Sequence, residues 1–218
     1  MKQQIRGVIF DMDGVVVNNH HFHFKAWMEF AHKYNFQLNE SIYRTEFNGK
    51  TNSDLFKNIF GDISELQKEN YSIEKEANYR KLYKDEMKPH IGLVDFLNHL
   101  KENHFKIALG TSAPKPNVDF TLDNLKLREY FDVIIDGSDV TKGKPDPEVY
   151  LKCSEKLFLS PEQCLVFEDS IAGLMSGRNA GCQIVGVATS HKREELAPIV
   201  NFIIDDFSDF KKIIDACF

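Results

Sequence analysis

Residues 8–18 read VIFDMDGVVVN, an apolar run that stops at two aspartates one residue apart and then a glycine. Apolar residues without polar alternation mark a strand buried on both faces, as at the centre of a parallel sheet. In an extended segment residues i and i+2 point to the same side, so the spacing predicts that Asp11 and Asp13 leave the strand end together. Open parallel sheets hold their ligand crevice at the carboxyl ends of the strands. Two neighbouring carboxylates there repel each other unless a cation or a proton sits between them. The motif therefore asks for a metal and suggests acid–base or nucleophilic chemistry; its bland alternative is two solvated aspartates in a turn.

Later strand signals resemble the first. KIALGTS (106–112), FDVIIDG (131–137), CLVFEDS (164–170), QIVGVAT (183–189) and NFIID (201–205) are short apolar runs ending in polar or small residues. Helical stretches at 92–102, 117–128, 147–158 and 171–180 separate them, and this alternation predicts a Rossmann-like parallel α/β sheet with right-handed crossovers. Asp146 is the expected N-cap and Pro147 the first residue of the third of these helices, and Gly181 is expected to close the fourth.

Residues 17–90 differ in character: helical periodicity, many aromatics and charges, no convincing strand. A crossover helix needs only about a dozen residues. The excess reads as a helical cap, residues 17–90, inserted into a catalytic core of 1–16 and 91–218. Attached beside Asp11 and Asp13, such a lid is expected to close over the crevice and exclude water.

A chain of 218 residues, 42% hydrophobic and 28% charged, can bury a core of this kind. Its net charge of −6 argues against a nucleic-acid partner, which needs a basic face. No apolar run approaches a membrane span, and MKQQIR leads straight into a strand, so neither a membrane partner nor a signal peptide is expected. Cys153, Cys164, Cys182 and Cys217 have no CxxC or tight spacing and read as reduced thiols of a cytoplasmic protein, expected to be monomeric.

Three more sites answer the demand of the aspartate pair, each at an expected strand end. Thr111 and Ser112 close LGTS with hydroxyl and N–H groups suited to a phosphoryl oxygen. Lys144 in KGKPDP is a fixed cation that Pro145 keeps out of helical geometry. Glu168 and Asp169 follow CLVFE as a second acidic pair. Singly these are weak; Glu-Asp before a helix could simply serve its dipole. In the order DxDG, TS, KP, ED they are specific.

Here the chain resembles the haloacid dehalogenase-like phosphohydrolases, in the helical-cap branch that includes β-phosphoglucomutase and small-metabolite phosphatases. The resemblance spans essentially the whole chain, and the second aspartate excludes the dehalogenases themselves. It implies that Asp11 is a nucleophile forming an aspartyl-phosphate and that Asp13 is the general acid and base. It further implies Mg²⁺ held by Asp11, the main-chain carbonyl of Asp13, and Asp169, with Glu168 as a further or outer ligand. Thr111, Ser112 and Lys144 would bind the transferring phosphoryl group. Phosphoryl transfer is mainly positioning and charge neutralisation, and Mg²⁺ commonly takes one or two carboxylates, which suits these residue types.

The cap should carry specificity for a small phosphorylated metabolite. By the resemblance, His23 and Trp27 fall at the cap hinge, Lys75 matches a lysine that enters the site, and NGKTNSD (48–54) corresponds to a specificity loop containing Gly49, Lys50 and Asn52. Ala113 and Lys115, beside the Thr-Ser motif, complete the candidate substrate contacts. His20 and His23 share a helix face, where a zinc site competes with a hinge or solvated cluster. Phe22, Phe24, Phe30, Phe36 and Trp27 read as the cap's own core, and Lys192-Arg193 as a solvated helix start. Where the mutase carries an arginine for a second phosphate, this chain has Asn52, and beside the hinge Asn19 replaces a threonine. Three functions stay open: a Mg²⁺-dependent phosphatase, a phosphomutase using the same Asp11, and a receiver-type signalling domain phosphorylated on aspartate.

Overall fold

The computed structural model describes residues 4–47, 50–200 and 202–218. Strand β1 (Gly7–Phe10) opens the fold. After it come the helices α1 (His20–Tyr34), α2 (Glu40–Ile42), α3 (Asn52–Phe60) and α4 (Glu65–Tyr83). The chain then alternates: α5 (Leu93–Glu102), β2 (Lys106–Gly110), α6 (Lys115–Leu125), β3 (Val133–Ile135), α7 (Glu148–Lys156), β4 (Cys164–Glu168), α8 (Ile171–Ala180), β5 (Gln183–Val187), α9 (Arg193–Leu196), β6 (Ile203–Ile204) and α10 (Phe210–Cys217). Two compact units result, residues 1–18 with 88–218, and residues 19–87.

The first unit is a six-stranded, wholly parallel sheet in the order β3-β2-β1-β4-β5-β6. This is the parallel α/β class that the strand–helix alternation predicts. All four residues of β1 are buried, because apolar layers cover both faces. On one face Phe10 stacks on Phe167 at 5.2 Å and meets Phe96 edge-on at 6.0 Å, with Phe207 against all three. On the other, Ile9 joins Ala108, Val149, Tyr150, Cys153 and Val166. Three of the four cysteines lie in this second layer as free thiols, and burial pushes Cys164 and Cys182 up to about 12. Thiols so disfavoured as thiolates are inert packing groups.

The sheet topology decides where a site can form. From β1 the chain adds β2 and β3 on one side, then crosses back to add β4 on the other. The carboxyl ends of β2, β1 and β4 therefore flank a switch point, where neighbouring connections diverge and leave a crevice. Asp11, Thr111 and Glu168 stand at those three ends.

Local details differ from the sequence reading in four places. Helix α7 starts at Glu148, with Pro147 as its flanking residue, although the Asp146 carboxylate still accepts the Glu148 N–H at 3.1 Å. Helix α6 starts earlier than expected, with Pro114 as its N-cap and Pro116 inside its first turn, a position where the missing N–H costs nothing. The last strand shrinks to Ile203–Ile204. In the second unit, the expected loop at 48–54 is already helix from Asn52. The Thr51 hydroxyl accepts the Asp54 N–H and donates to the Asp54 carboxylate, a cap signal (T-N-S-D) that the sequence displays.

The second unit contains only helices among its described residues. Its core is mostly aromatic: Trp27, Phe30, Phe47 and Phe56 with Leu55, and Phe36, Phe60 and Tyr71 packed against them. Phe22 lies on Tyr83 at 4.7 Å and Phe24 on Tyr43 at 5.1 Å. Trp27 and these phenylalanines are packing groups, as the sequence reading holds.

Candidate active site

Strand β1 stops at Phe10, and the main-chain N–H of Asp11 still bonds to the Phe167 carbonyl at 3.0 Å. Beyond it the chain turns sharply. The Met12 carbonyl accepts the N–H groups of Val15, Val16 and Val17, and Gly14 adopts φ +79, which favours glycine. Asp13 thus sits in a turn and not on an extended strand, so the period-two argument does not apply to it, although its charge still acts on Asp11. Glu168 and Asp169, at the end of β4, supply the other carboxylates of the cluster.

Ligand oxygens of Asp11, Glu168 and Asp169 lie within 4.8 Å of one another, all three residues buried. Lys144 enters this group with its Nζ 2.8 Å from Asp11 Oδ1 and 2.9 Å from Glu168 Oε1, its side chain only 5% exposed. It arrives from the long loop between β3 and α7, nine residues past the end of β3, not from a strand end as expected. Its ammonium also lies 5.0 Å from the Tyr150 ring centroid, a cation–π contact under the site.

The charge balance is unfavourable as it stands. Three clustered carboxylates stand against one ammonium, which pairs with two of them. Burial, reinforced by the negative charges of Glu168, Asp169 and Asp13 and opposed by Lys144, pushes the Asp11 carboxyl up to about 8. Burial alone would lower Lys144, but Asp11 and Glu168 overcome this and hold it well above the ordinary lysine range. An all-oxygen, strongly anionic, buried donor set of this kind suits a hard divalent cation such as Mg²⁺. Asp13 is not one of the trio, and its charge bears on Asp11.

Neighbouring groups fix the acids. Glu168 accepts the Ser170 N–H at 2.9 Å and is shielded by Gly173, where any Cβ would lie 2.0 Å from its carboxylate. Thr189, which the sequence reading missed, places its hydroxyl 3.1 Å from Asp169 Oδ2 and 2.8 Å from the Gly14 carbonyl. The Ser190 hydroxyl donates to the Asp169 carbonyl at 2.9 Å. Their only sequence signal is a Thr-Ser pair after an apolar run, like Thr111-Ser112.

At the end of β2, Thr111 is buried and its hydroxyl accepts the Ala113 N–H at 3.1 Å, while Ser112 is exposed. Ala113 is buried; Lys115 instead lies on the exposed surface of α6, paired with Asp119 at 2.9 Å.

In the helical unit the candidate residues form a cluster of their own. Lys75 is buried, with Nζ 2.9 Å from Glu76 Oε1, 3.0 Å from His23 Nδ1 and 5.2 Å from the Trp27 ring centroid. The Asn52 amide donates to Glu76 Oε1 at 2.7 Å and to Ser72 at 3.1 Å. His23 stacks on Tyr79 at 3.8 Å, and Asn19 donates to the Tyr79 hydroxyl at 2.6 Å. Burial raises the Glu76 carboxyl, but Lys75, His23 and the Asn52 amide outweigh it and hold the group down to about 2. Sequence reasoning missed Glu76 because adjacent helix residues normally diverge. Lys50 is exposed, and Gly49 lies outside the described residues. Arg193, read as solvated, pairs with Asp205 at 2.8 Å.

A profile of the haloacid dehalogenase-like hydrolases matches residues 8–187. The phosphorylated carbohydrates phosphatase of Thermotoga maritima is 33% identical over 189 residues, covering 85% of this chain and 87% of that protein. The β-phosphoglucomutase of Bacillus subtilis is 30% identical over 193 residues, covering 84% and 83%. Among solved structures, a hydrolase of family IA, variant 3, from Entamoeba histolytica superposes with a TM-score of 0.88 at 31% identity, covering 97% of this chain and 98% of that one. The chain belongs to the haloacid dehalogenase-like hydrolases.

Proposed function

We propose that this enzyme is a Mg²⁺-dependent phosphatase of small phosphorylated metabolites, with sugar phosphates as the substrate class. The observation that carries the reading is the buried constellation of Asp11, Glu168, Asp169 and Lys144. Asp11 is the nucleophile: its oxygen attacks phosphorus, the bond to the leaving oxygen breaks, and an aspartyl-phosphate forms. Asp13 gives the leaving oxygen its proton and later takes one from the attacking water, which releases phosphate and restores Asp11. Lys144 neutralises charge on the transferring group while Thr111 and the Ser112 N–H orient it. Asp11, the Asp13 carbonyl and Asp169 would hold Mg²⁺, with Glu168 anchoring Lys144. Bound there, the ion would supply positive charge to the phosphoryl oxygens and screen them from Asp11.

Hydrolysis is favoured over isomerisation by the polar cluster in the helical unit. A mutase must grip a second phosphate, and charge-assisted bonds from a free arginine or lysine do this best. Here Asn52 is neutral and bonded to Glu76, and Lys75 is neutralised by the same carboxylate. The mutase among the relatives supports the second reading. A phosphate-release screen over sugar and polyol phosphates, with and without a bisphosphate activator, tests both. Activator-independent release with little isomer is expected. Conversion of β-glucose 1-phosphate to glucose 6-phosphate faster than phosphate appears would overturn the hydrolase reading.

A further inference from the structure

Two helices hold the loop that delivers Lys144. From α8, the Ser176 hydroxyl donates to the Asp146 carbonyl at 2.6 Å and the Asn179 amide donates to the Pro145 carbonyl at 3.1 Å. From α7, the Glu148 carboxylate accepts the N–H groups of Thr141 and Lys142 and the Thr141 hydroxyl, each at 2.9 Å. Ser176 is wholly buried. A serine inside a helix commonly returns its hydroxyl to a carbonyl of its own preceding turn. This one reaches across to a different segment, as does Asn179 one turn further along the same side.

The opposite end of the same helix meets Glu168. Ser170, the N-cap, bonds the Glu168 carboxylate through its N–H, and Gly173, one turn before Ser176, leaves no room for a Cβ beside it. One helix therefore sets both ends of the Lys144–Glu168 ion pair. The lysine has a flexible stem, and two main-chain anchors immediately after it limit where its Cα can sit.

We propose that Ser176 and Asn179 are positioning residues for Lys144, which keep its ammonium in register with Asp11 and Glu168. The inference rests on the role given to Lys144 above, and one readout of its test does not. Ser176→Ala, Asn179→Ala and the double variant would be compared with wild type for phosphate-release kcat and KM. Melting temperature and acylation of each lysine by acetic anhydride, read by mass spectrometry, would be measured on the same proteins. Lys144 is almost fully buried and should resist acylation in the wild type.

In the double variant kcat should fall by about 10–100-fold, the penalty of an ångström-scale misplacement, with a smaller change in KM. Acylation of Lys144 should rise several-fold while that of buried Lys75 stays unchanged. Ser176→Thr, which keeps the hydroxyl, should recover most of the kcat lost in Ser176→Ala. Unchanged kcat and unchanged Lys144 acylation in the double variant would overturn the proposal. So would a parallel rise at Lys75 with a lowered melting temperature, which marks general loosening. If the wild type released no phosphate from any substrate, the proposed function would fail, and the acylation contrast would still decide whether the clamp exists.

Discussion

Replacing Glu76 by glutamine tests the ion cluster of the helical unit quantitatively. The side chains of Lys75 and Glu76 are 2% and 6% exposed, with 2.9 Å between charged atoms, so loss of the anion leaves a buried ammonium with less compensation. Glu76 is held at about 2 against an ordinary 4.5, and this gap corresponds to about 3 kcal/mol of folding free energy. The sign follows from the depressed value: the contribution is complete above the ordinary 4.5 and disappears as pH falls through about 2. At pH 3 about 2 kcal/mol of it should already be lost. Glu76→Gln should thus cost about 3 kcal/mol at pH 7 and about 1 kcal/mol at pH 3. Trp27 is the single tryptophan of the chain and lies 5.2 Å from Lys75 Nζ, so its fluorescence in urea follows this unit. Equal penalties at the two pH values, or no penalty at pH 7, would refute the assignment of Glu76 as the anion of the cluster.

Asp11→Asn should lower phosphate release far below a tenth of the wild-type rate. It should leave thermal stability equal or higher, because one of three crowded carboxylates is gone; turnover above that level would exclude Asp11 as nucleophile. Chelation should silence the enzyme and Mg²⁺ restore it, and a Mg²⁺ titration should show a steeply raised requirement in Asp169→Ala. Lys144→Ala should cost roughly two to four orders of magnitude in kcat, measured by phosphate release. Gly173→Ala places a methyl group 2.0 Å from the Glu168 carboxylate, so it should impair phosphate release by displacing that carboxylate; wild-type kinetics would show that α8 can move aside.

Much of the core is legible in the sequence, since apolar run and polar terminus are local properties. VIF is long enough and apolar enough to demand cover on both faces, and the acids follow where the strand must end. Covalent order also carries Thr111, Glu168 and Asp169 to strand ends, because parallel strands joined by right-handed crossovers all finish on one edge. The aromatics of the helical unit were likewise legible as packing, since their number exceeds what a helix surface can leave exposed.

Pairing was not legible. The sequence pairs Asp13 with Asp11, whereas the buried carboxylate cluster is Asp11 with Glu168 and Asp169, more than 150 residues along the chain. Lys144 was expected at a strand end and stands on a loop, since nothing in KGKPDP encodes the anchors on α8. The sequence offers Asn52 and Lys75 as substrate contacts, and the structure gives both to Glu76, which Asn52 reaches from another helix and Lys75 from the adjacent position. Local sequence decides which residues can form a strand, a cap or a turn. The partner that neutralises a buried charge is chosen by side chains from distant segments, whose meeting depends on the order in which the strands assemble into the sheet and on the packing of helices.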